Sequence, residues 1–370
     1  MILKTEINQR AARLLHLSDP DLQAGDPLRA PIVSASAYHL PGAPRGDFQY
    51  GRWSNPTWQD LERAIELLEA APTVVFPSGM AAIASVLCTS VQPGEKILLA
   101  SDGYYTSRAL VDRYLAPRGI EVVYCPTSRM CQQDIEHIDL VLVETPSNPI
   151  LSLCDIEELS HTCSAVNALL VVDNSAMTPI GQNPLRLGAD VVVSSDTKAL
   201  NGHSDVIFGH VSTKNEDVYQ RCREWRTTFG AIPGPYEASL VRRGLDTLEI
   251  RYDRMSRSAA SIAKRLEESQ TNMSVTYPGL PSHPAHELAK RQMNGFGYLI
   301  GLTFADAASA DHFIESAEMV TPMTSFGGVH SSAERRSRWG DDVAPGYVRL
   351  SVGCEPLEPL WESIELAALG

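Results

Sequence analysis

An α/β fold with a mainly parallel sheet, followed by a smaller C-terminal α+β domain, is what the 370-residue sequence predicts. Three observations carry that expectation. Short apolar runs alternate with helical stretches through the first two thirds of the chain. The runs are apolar throughout, not at every second position, as strands buried on both faces must be. After about residue 245 the alternation gives way to one long helical stretch and two isolated strand-like segments.

The elements follow in order. The opening M-I-L-K-T-E-I-N-Q-R-A-A-R-L-L-H-L lacks the apolar core and small-residue cleavage site of a secretory signal. Residues 18–58 are rich in Pro, Gly, Ser and Asp and read as an irregular arm. Such an arm frays unless it packs against something, for example a second subunit. From residue 57, T-W-Q-D-L-E-R-A-I-E-L-L-E-A places Leu61, Ala64, Ile65 and Leu68 on one helical face. Strands are predicted over 73–76, 96–100, 122–124, 140–144, 169–173 and 190–195. Between them lie the helical segments M-A-A-I-A-S-V-L-C-T-S, R-A-L-V-D-R-Y-L-A-P-R-G, I-E-E-L-S-H-T-C-S-A-V-N-A and a stretch near 181–188. A long helix is predicted over 246–268, strands over 297–303 and 347–352, and a last helix from about 357. The resulting organisation is an arm over 1–48, a large domain over 49–243 and a small domain over 244–370.

Composition narrows the function. The formal net charge of −14 opposes a nucleic-acid partner, which needs a basic surface. No apolar run approaches the ~20 residues that span a bilayer. The seven cysteines are odd in number and show no C-x-x-C spacing, so a disulfide framework or zinc site is not expected. Reduced thiols in a cytoplasmic protein acting on a small molecule fit these facts.

Ligands of parallel sheets collect at the carboxyl ends of the strands. The polar residues that follow the apolar runs are Ser78-Gly79, Asp102-Gly103-Tyr104, Glu144 to Asn148, Asp173-Asn174 and Ser195-Asp196-Thr197-Lys198. All should converge on one rim. Ser78-Gly79-Met80 opens a helix directly after a strand, where free N–H groups and the helix dipole attract an anion. A plain helix cap has the same appearance. Gly79 lets a phosphate approach the backbone, and Ser195 and Thr197 could add hydroxyl donors. Asp173 ends an apolar strand, where a carboxylate is costly unless paired. A pyridinium nitrogen is one suitable partner; a helix N-cap or a metal ion is another. Lys198 ends a further strand. An amine must be neutral to form an imine, and burial lowers its pKa from ~10.4. Its setting, S-S-D-T-K-A-L-N-G-H-S-D, sets it apart from a solvated lysine.

These residues belong to an ordered series of motifs: Y-G-R-W-S-N-P-T (50–57), F-P-S-G-M-A-A (76–82), E-T-P-S-N-P (144–149), V-V-D-N (171–174), T-K-A-L-N-G-H-S-D (197–205), R-G-L-D-T-L (243–248), P-G-L-P-S-H-P-A-H-E-L-A-K-R-Q (278–292), S-F-G-G-V (325–329) and V-R-L-S-V-G (348–353). With them the chain resembles the Cys/Met-metabolism pyridoxal 5′-phosphate (PLP) enzymes: the cystathionine γ-lyases, γ-synthases and β-lyases and the methionine γ-lyases. The resemblance runs from about residue 25 to the end. It implies a PLP fold type I, aspartate-aminotransferase-like large domain. It implies that Lys198 holds PLP as a Schiff base and that Asp173 partners the pyridinium. The backbone of Gly79 and Met80, with Ser195 and Thr197, would form the phosphate cup, and Tyr50 and Arg52 would reach it from a neighbouring subunit. Tyr104 would stack on the ring and assist the leaving group, and Asn148 would bond the ring hydroxyl. Arg349, aided by the backbone near Ser325, would clamp the carboxylate of a sulfur amino acid beside Thr324. Active-site-sharing dimers paired into a homotetramer are implied as well.

The chain departs from the family pattern at several positions. Ala199 follows the lysine where an aromatic is usual. Thr324 precedes the S-x-G-G turn where many γ-lyases carry Glu. Tyr105-Thr106 replaces a Gly pair, Asp246 replaces Lys, and the 330–343 loop is strongly charged. All are expected around the distal end of the substrate, which leaves substrate choice open. Cystathionine γ-cleavage leads, with γ-synthase, methionine γ-lyase and β-lyase activity as alternatives. A non-catalytic regulator would be expected to lack Lys198 or Asp173, and the S-G-M, T-K-x-x-x-G-H and S-x-G-G set opposes an aminotransferase. His203 is expected to brace the loop after Lys198. His283 and His286 fit a Pro-rich turn better than a metal site. Arg335–Arg338 is expected to be a solvated face or the edge of a lid.

Overall fold

Apolar runs too short for helices pair into a sheet in the computed structural model, which describes residues 2–18, 22–43, 45–269 and 272–369. Among the described residues seven strands form the large sheet: β1 (Thr73–Phe76), β2 (Lys96–Ala100), β3 (Glu121–Cys125), β4 (Leu140–Glu144), β5 (Leu169–Asp173), β6 (Val191–Ser194) and β7 (Gly209–Thr213). Their order is β1-β7-β6-β5-β4-β2-β3. Strands β2 to β6 run parallel, and β7 runs antiparallel to both of its neighbours, β1 and β6. Successive side chains point to opposite faces. Leu140 and Leu142 of β4 pack into one core, Val141 and Val143 into another.

Helices cover both faces. The helix α3 (Gly79–Ser90) lies on one and Ile156–Val166 on the other. The helix α2 (Pro56–Glu69) starts where expected: Asn55 Oδ1 accepts from the Thr57 N–H at 2.8 Å, and Pro56 takes the first helical position. Leu61, Ala64, Ile65 and Leu68 are buried.

Several segments differ from expectation. Strand β7 escaped prediction because G-H-V-S-T is not an apolar run. Its polar side chains find partners outside the strand: Ser212 Oγ lies 2.7 Å from Thr73 Oγ1 of β1, and His210 Nδ1 lies 2.6 Å from Asp196 Oδ1 in the turn after β6. The start of the anticipated arm is a helix, α1 (Ile2–Leu15), whose Ile7 and Leu14 join the core beneath α2. Residues 22–43 and 45–55 carry no helix, and an isolated bridge joins Ala37 to Tyr50. Residues 19–21 and 44 of the anticipated arm lie outside the described residues. The expected helix around 108–119 is α-helical only over Tyr105–Leu110. A π turn and then a 3₁₀ turn containing Pro117 follow, ending at Gly119 with φ 91°. The stretch near 181–188 is a single 3₁₀ turn, Pro184–Leu187.

The second sheet has the order β10-β11-β12-β9-β8, from β8 (Ser274–Thr276), β9 (Leu299–Thr303), β10 (Thr321–Pro322), β11 (Ser332–Arg335) and β12 (Tyr347–Ser351). Only β9 and β12 were expected; β8, β10 and β11 are short and partly polar. The helix Leu248–Glu268 ties the two halves together. Tyr252 and Met255 pack in the core of the large domain, and Ala259, Ile262 and Leu266 pack under the second sheet.

Candidate active site

The five strand-end sets meet as expected. Each of the five sets sends at least one residue to one cavity of about 420 Å³, which Thr324, Ser325, Phe326 and Arg349 close on its other side; Asp102, Gly103, Asn174, Asp196 and the 145–147 segment do not line it. At its floor the N-terminus of α3 presses against the turn after β6. A methyl group added to Gly79 would lie 2.7 Å from Ser195 Cβ, so only glycine fits. Ser78 is the helix cap, its Oγ accepting from the Ala81 N–H at 3.0 Å. Gly79, Met80 and Ser195 present the cavity with a helix N-terminus suited to an anion. Thr197 also lines the cavity, but its hydroxyl donates to the Phe208 carbonyl at 3.2 Å and accepts from the Phe208 N–H at 3.0 Å.

Asp173 is buried at the end of β5. Its Oδ1 accepts from the Ser175 N–H at 2.9 Å and the Ser175 hydroxyl at 2.6 Å. Burial raises its pKa, and the Ser175 bonds hold that rise back. Ser175, which also accepts from the Ser195 N–H at 2.7 Å, was not singled out in the sequence. Glu144, one strand over, is pushed well above the carboxylate range by burial and by Asp173 beside it; its Oε2 accepts from the Tyr104 N–H at 2.7 Å.

Lys198 reaches across to the small domain. Its Nζ donates to Ser325 Oγ at 2.6 Å and sits 4.9 Å from the centre of the Phe326 ring. Burial first, and then the Arg349 charge, bring its pKa down to about 8. Asp173, Glu144 and Glu334 partly oppose the shift. Ser325 has φ 76°, an uncommon backbone state for a non-glycine residue and a local strain at this contact.

Arg349 is 3% exposed on β12. Its guanidinium donates to Asn148 Oδ1 at 2.5 Å, to the Ser325 carbonyl at 2.8 Å and to Glu334 Oε2 at 3.0 Å. Burial and the neighbouring Arg336 lower its pKa to about 10. The amide oxygen of Asn148 is thus committed to Arg349, and Asn148 lines the cavity. Tyr104 and Tyr105 form an edge-to-face pair, centroids 5.2 Å apart, at the cavity wall.

The residues of the Y-x-R motif are not brought to this cavity. Tyr50 is 43% exposed, and Arg52 donates to the Thr227 carbonyl at 2.9 Å. Two of the departures from the family pattern also lie elsewhere. Ala199 is buried in the core of the large domain, and Asp246 pairs with Arg29 and Arg242. Neither can border a substrate in this cavity. Of the arginine cluster, Arg338 is exposed and Arg335 half-buried, whereas Arg336 is not solvated. Arg336 is buried between Glu334 and Asp341, and Glu334, Arg336 and Trp339 all line the cavity. Sequence reasoning missed Glu334 and Trp339 because nothing local marks a 3₁₀ turn in a charged loop as a cavity wall. Outside the cavity, His203 Nδ1 lies 2.7 Å from the Asn201 carbonyl, bracing its loop as expected. His283 and His286 each contact a backbone carbonyl, of Leu151 and Pro278. Among the described residues all seven cysteines are free thiols.

The donor set fits a phosphorylated pyridine aldehyde. A helix N-terminus that excludes any side chain at Gly79 suits the phosphate, a buried carboxylate suits a protonated ring nitrogen, and a buried amine near neutrality suits the aldehyde.

The chain is similar to known proteins in sequence and fold. The family model of the Cys/Met metabolism PLP-dependent enzymes matches residues 14–368. A putative cystathionine gamma-lyase of Streptomyces coelicolor is 45% identical over 335 residues, 89% of this chain and 85% of that protein. A cystathionine beta-lyase of Lactococcus lactis is 37% identical, over 91% of this chain and 93% of its own. The crystal structure of a cystathionine gamma synthase from Xanthomonas oryzae superposes with a TM-score of 0.92 at 31% identity, over 97% of each chain.

Proposed function

Because the chain belongs to the Cys/Met metabolism PLP-dependent enzymes, we propose that it cleaves the γ carbon–sulfur bond of cystathionine, taking up one water and releasing cysteine, 2-oxobutanoate and ammonia. The large domain has the fold type I arrangement of that family. The observation that carries the reading is the buried Lys198 amine, lowered to about 8, sharing one cavity with Asp173 and Arg349. The γ-lyase name of a relative 45% identical supports the choice of bond.

Bound PLP supplies an electron sink next to the substrate Cα. Asp173 keeps a proton on the ring nitrogen. The N-terminus of α3, with Ser195, holds the phosphate, and Arg349 takes the carboxylate of the amino acid. Lys198, about half neutral near pH 8, would take the Cα proton, give it up to the bound cofactor and then take a Cβ proton. Tyr104 gives its phenolic proton to the departing thiolate. Tyr50 and Arg52, which point away from their own cavity, serve the phosphate of an adjacent subunit in a homotetramer.

The test is a product assay with cystathionine, homocysteine, methionine and an O-acylhomoserine. Cysteine with 2-oxobutanoate from cystathionine is the expected result. Pyruvate with homocysteine would overturn γ-cleavage in favour of β-cleavage. Net cystathionine formation from the acylhomoserine and cysteine would make the enzyme a synthase, and methionine as the preferred substrate a methionine γ-lyase.

A further inference from the structure

A carboxylate with no solvent exposure sits directly behind Arg349. Glu334 of β11 is the cross-strand partner of Arg349 on β12, and it is 0% exposed. A buried charge of this kind is tolerated only when its lone pairs are filled. Here they are. Oε2 accepts from Arg349 at 3.0 Å and from Arg336 Nη1 at 2.6 Å. Oε1 accepts from the indole N–H of Trp339 at 2.6 Å. Arg336 is held from its far side by Asp341, at 2.8 Å from Nε. The short turn Arg336–Trp339 thus grips Glu334, and Glu334 grips Arg349.

The grip leaves one donor over. Both terminal nitrogens of Arg349 are engaged, to Asn148, Ser325 and Glu334, whereas its buried Nε has no partner among the described residues. Three fixed acceptors set the plane of the guanidinium, and with it the face that Arg349 turns to the cavity.

We propose that Glu334 is a positioning residue for substrate binding: clamped by Arg336 and Trp339, it orients the guanidinium of Arg349 toward the carboxylate of the incoming amino acid. The inference rests on the reading of Arg349 as the carboxylate clamp, but not on which carbon–sulfur bond is broken. It also assigns a task to the charged 330–343 loop, whose turn forms the outer wall of the cavity, with Trp339 53% exposed at its rim.

The test uses the PLP-loaded enzyme and two ligands, an amino acid substrate and the amine it would yield by decarboxylation. Binding is read from the absorbance change of the bound cofactor, and turnover from KM and kcat for the amino acid. For Glu334→Gln the expected result is an amino-acid KM and apparent Kd raised about tenfold or more, with kcat within about threefold and amine binding unchanged. Trp339→Phe, which keeps the ring and removes one N–H donor, should move the same constants in the same direction by a smaller factor. It also serves if Glu334→Gln does not fold. Equal losses for amine and amino acid would reduce Glu334 to a structural role and overturn the proposal. So would unchanged amino-acid binding in both variants. If the unmodified enzyme bound amine and amino acid equally well, the Arg349 clamp itself would fail, and this inference with it. A lyase assay that fails while the absorbance titrations succeed bears only on the choice of reaction.

Discussion

Lys198 illustrates how much one residue depends on its surroundings. A lysine at a strand end, among small hydroxyl residues, was visible as a candidate. What the sequence could not show is the Ser325 oxygen 2.6 Å from its amine, the Phe326 ring beneath it and Arg349 nearby. Burial and Arg349 lower its pKa to about 8, from the 10.5 of an ordinary lysine. In the cofactor-free protein the unfolded chain therefore binds more protons at this site between about pH 8 and 10.5. Stability from this residue rises with pH across that window, because the charged amine is the form that burial penalises. Lys198→Met in the cofactor-free protein should accordingly raise the melting temperature near pH 7 and flatten its pH dependence between pH 8 and 10. Thermal melts of both proteins over that range check this, and parallel pH profiles would refute it. Asp173 was legible in the same way. Its dependence on Ser175 was not, because a hydroxyl two residues on becomes a ligand only once the chain turns back.

At the level of elements, the start of α3 was the most legible feature. The strand–S-G-M–helix order announces a cap and an anion site together; Ser78 caps the helix, while Gly79 and Met80 line the cavity. The close packing explains why glycine is required. Gly79→Ala would place a methyl 2.7 Å from Ser195 Cβ and 2.9 Å from Ser195 Cα, which is backbone that cannot swing aside. The helix start and the 195–198 turn must then separate. The expected outcome is a folded protein that loses PLP on dialysis, with a Kd raised at least tenfold; unaltered retention would show that the phosphate does not sit there. Strand β7 was the least legible element. Its His210 is fully buried between Asp196 and Glu69, and although burial opposes it, the Asp196 carboxylate carries the imidazole pKa up to about 10. A polar pentapeptide reads as a loop until its partners are known, and all of them come from other elements.

Across the whole molecule, the site joins two domains. The sheet of the large domain supplies Lys198 and Asp173, and the second sheet supplies Arg349 and Glu334. Among the described residues no helix is long and apolar enough to cross a membrane. Tyr50 and Arg52 stand outside their own cavity, which is consistent with service to an adjacent subunit. A complementation experiment tests that. Subunits carrying Lys198→Ala keep Tyr50 and Arg52, while subunits carrying Arg52→Ala keep Lys198. Co-expressed, they should form mixed assemblies with activity above that of either variant alone. Activity no greater than the weighted mean of the parents would place the Arg52 role, if any, within its own subunit.

The sequence by itself determined the alternation of strands and helices, the rim residues at the strand ends and the cofactor they suit. Those features are local, since apolar runs, helix caps and strand ends are written in consecutive residues. The tertiary structure alone decided that Arg336 is buried, that Ala199 lies in the core away from any substrate, and that Glu334 stands behind Arg349. Such facts depend on cross-strand register and on which charges lose their water, and both are set only when distant segments meet.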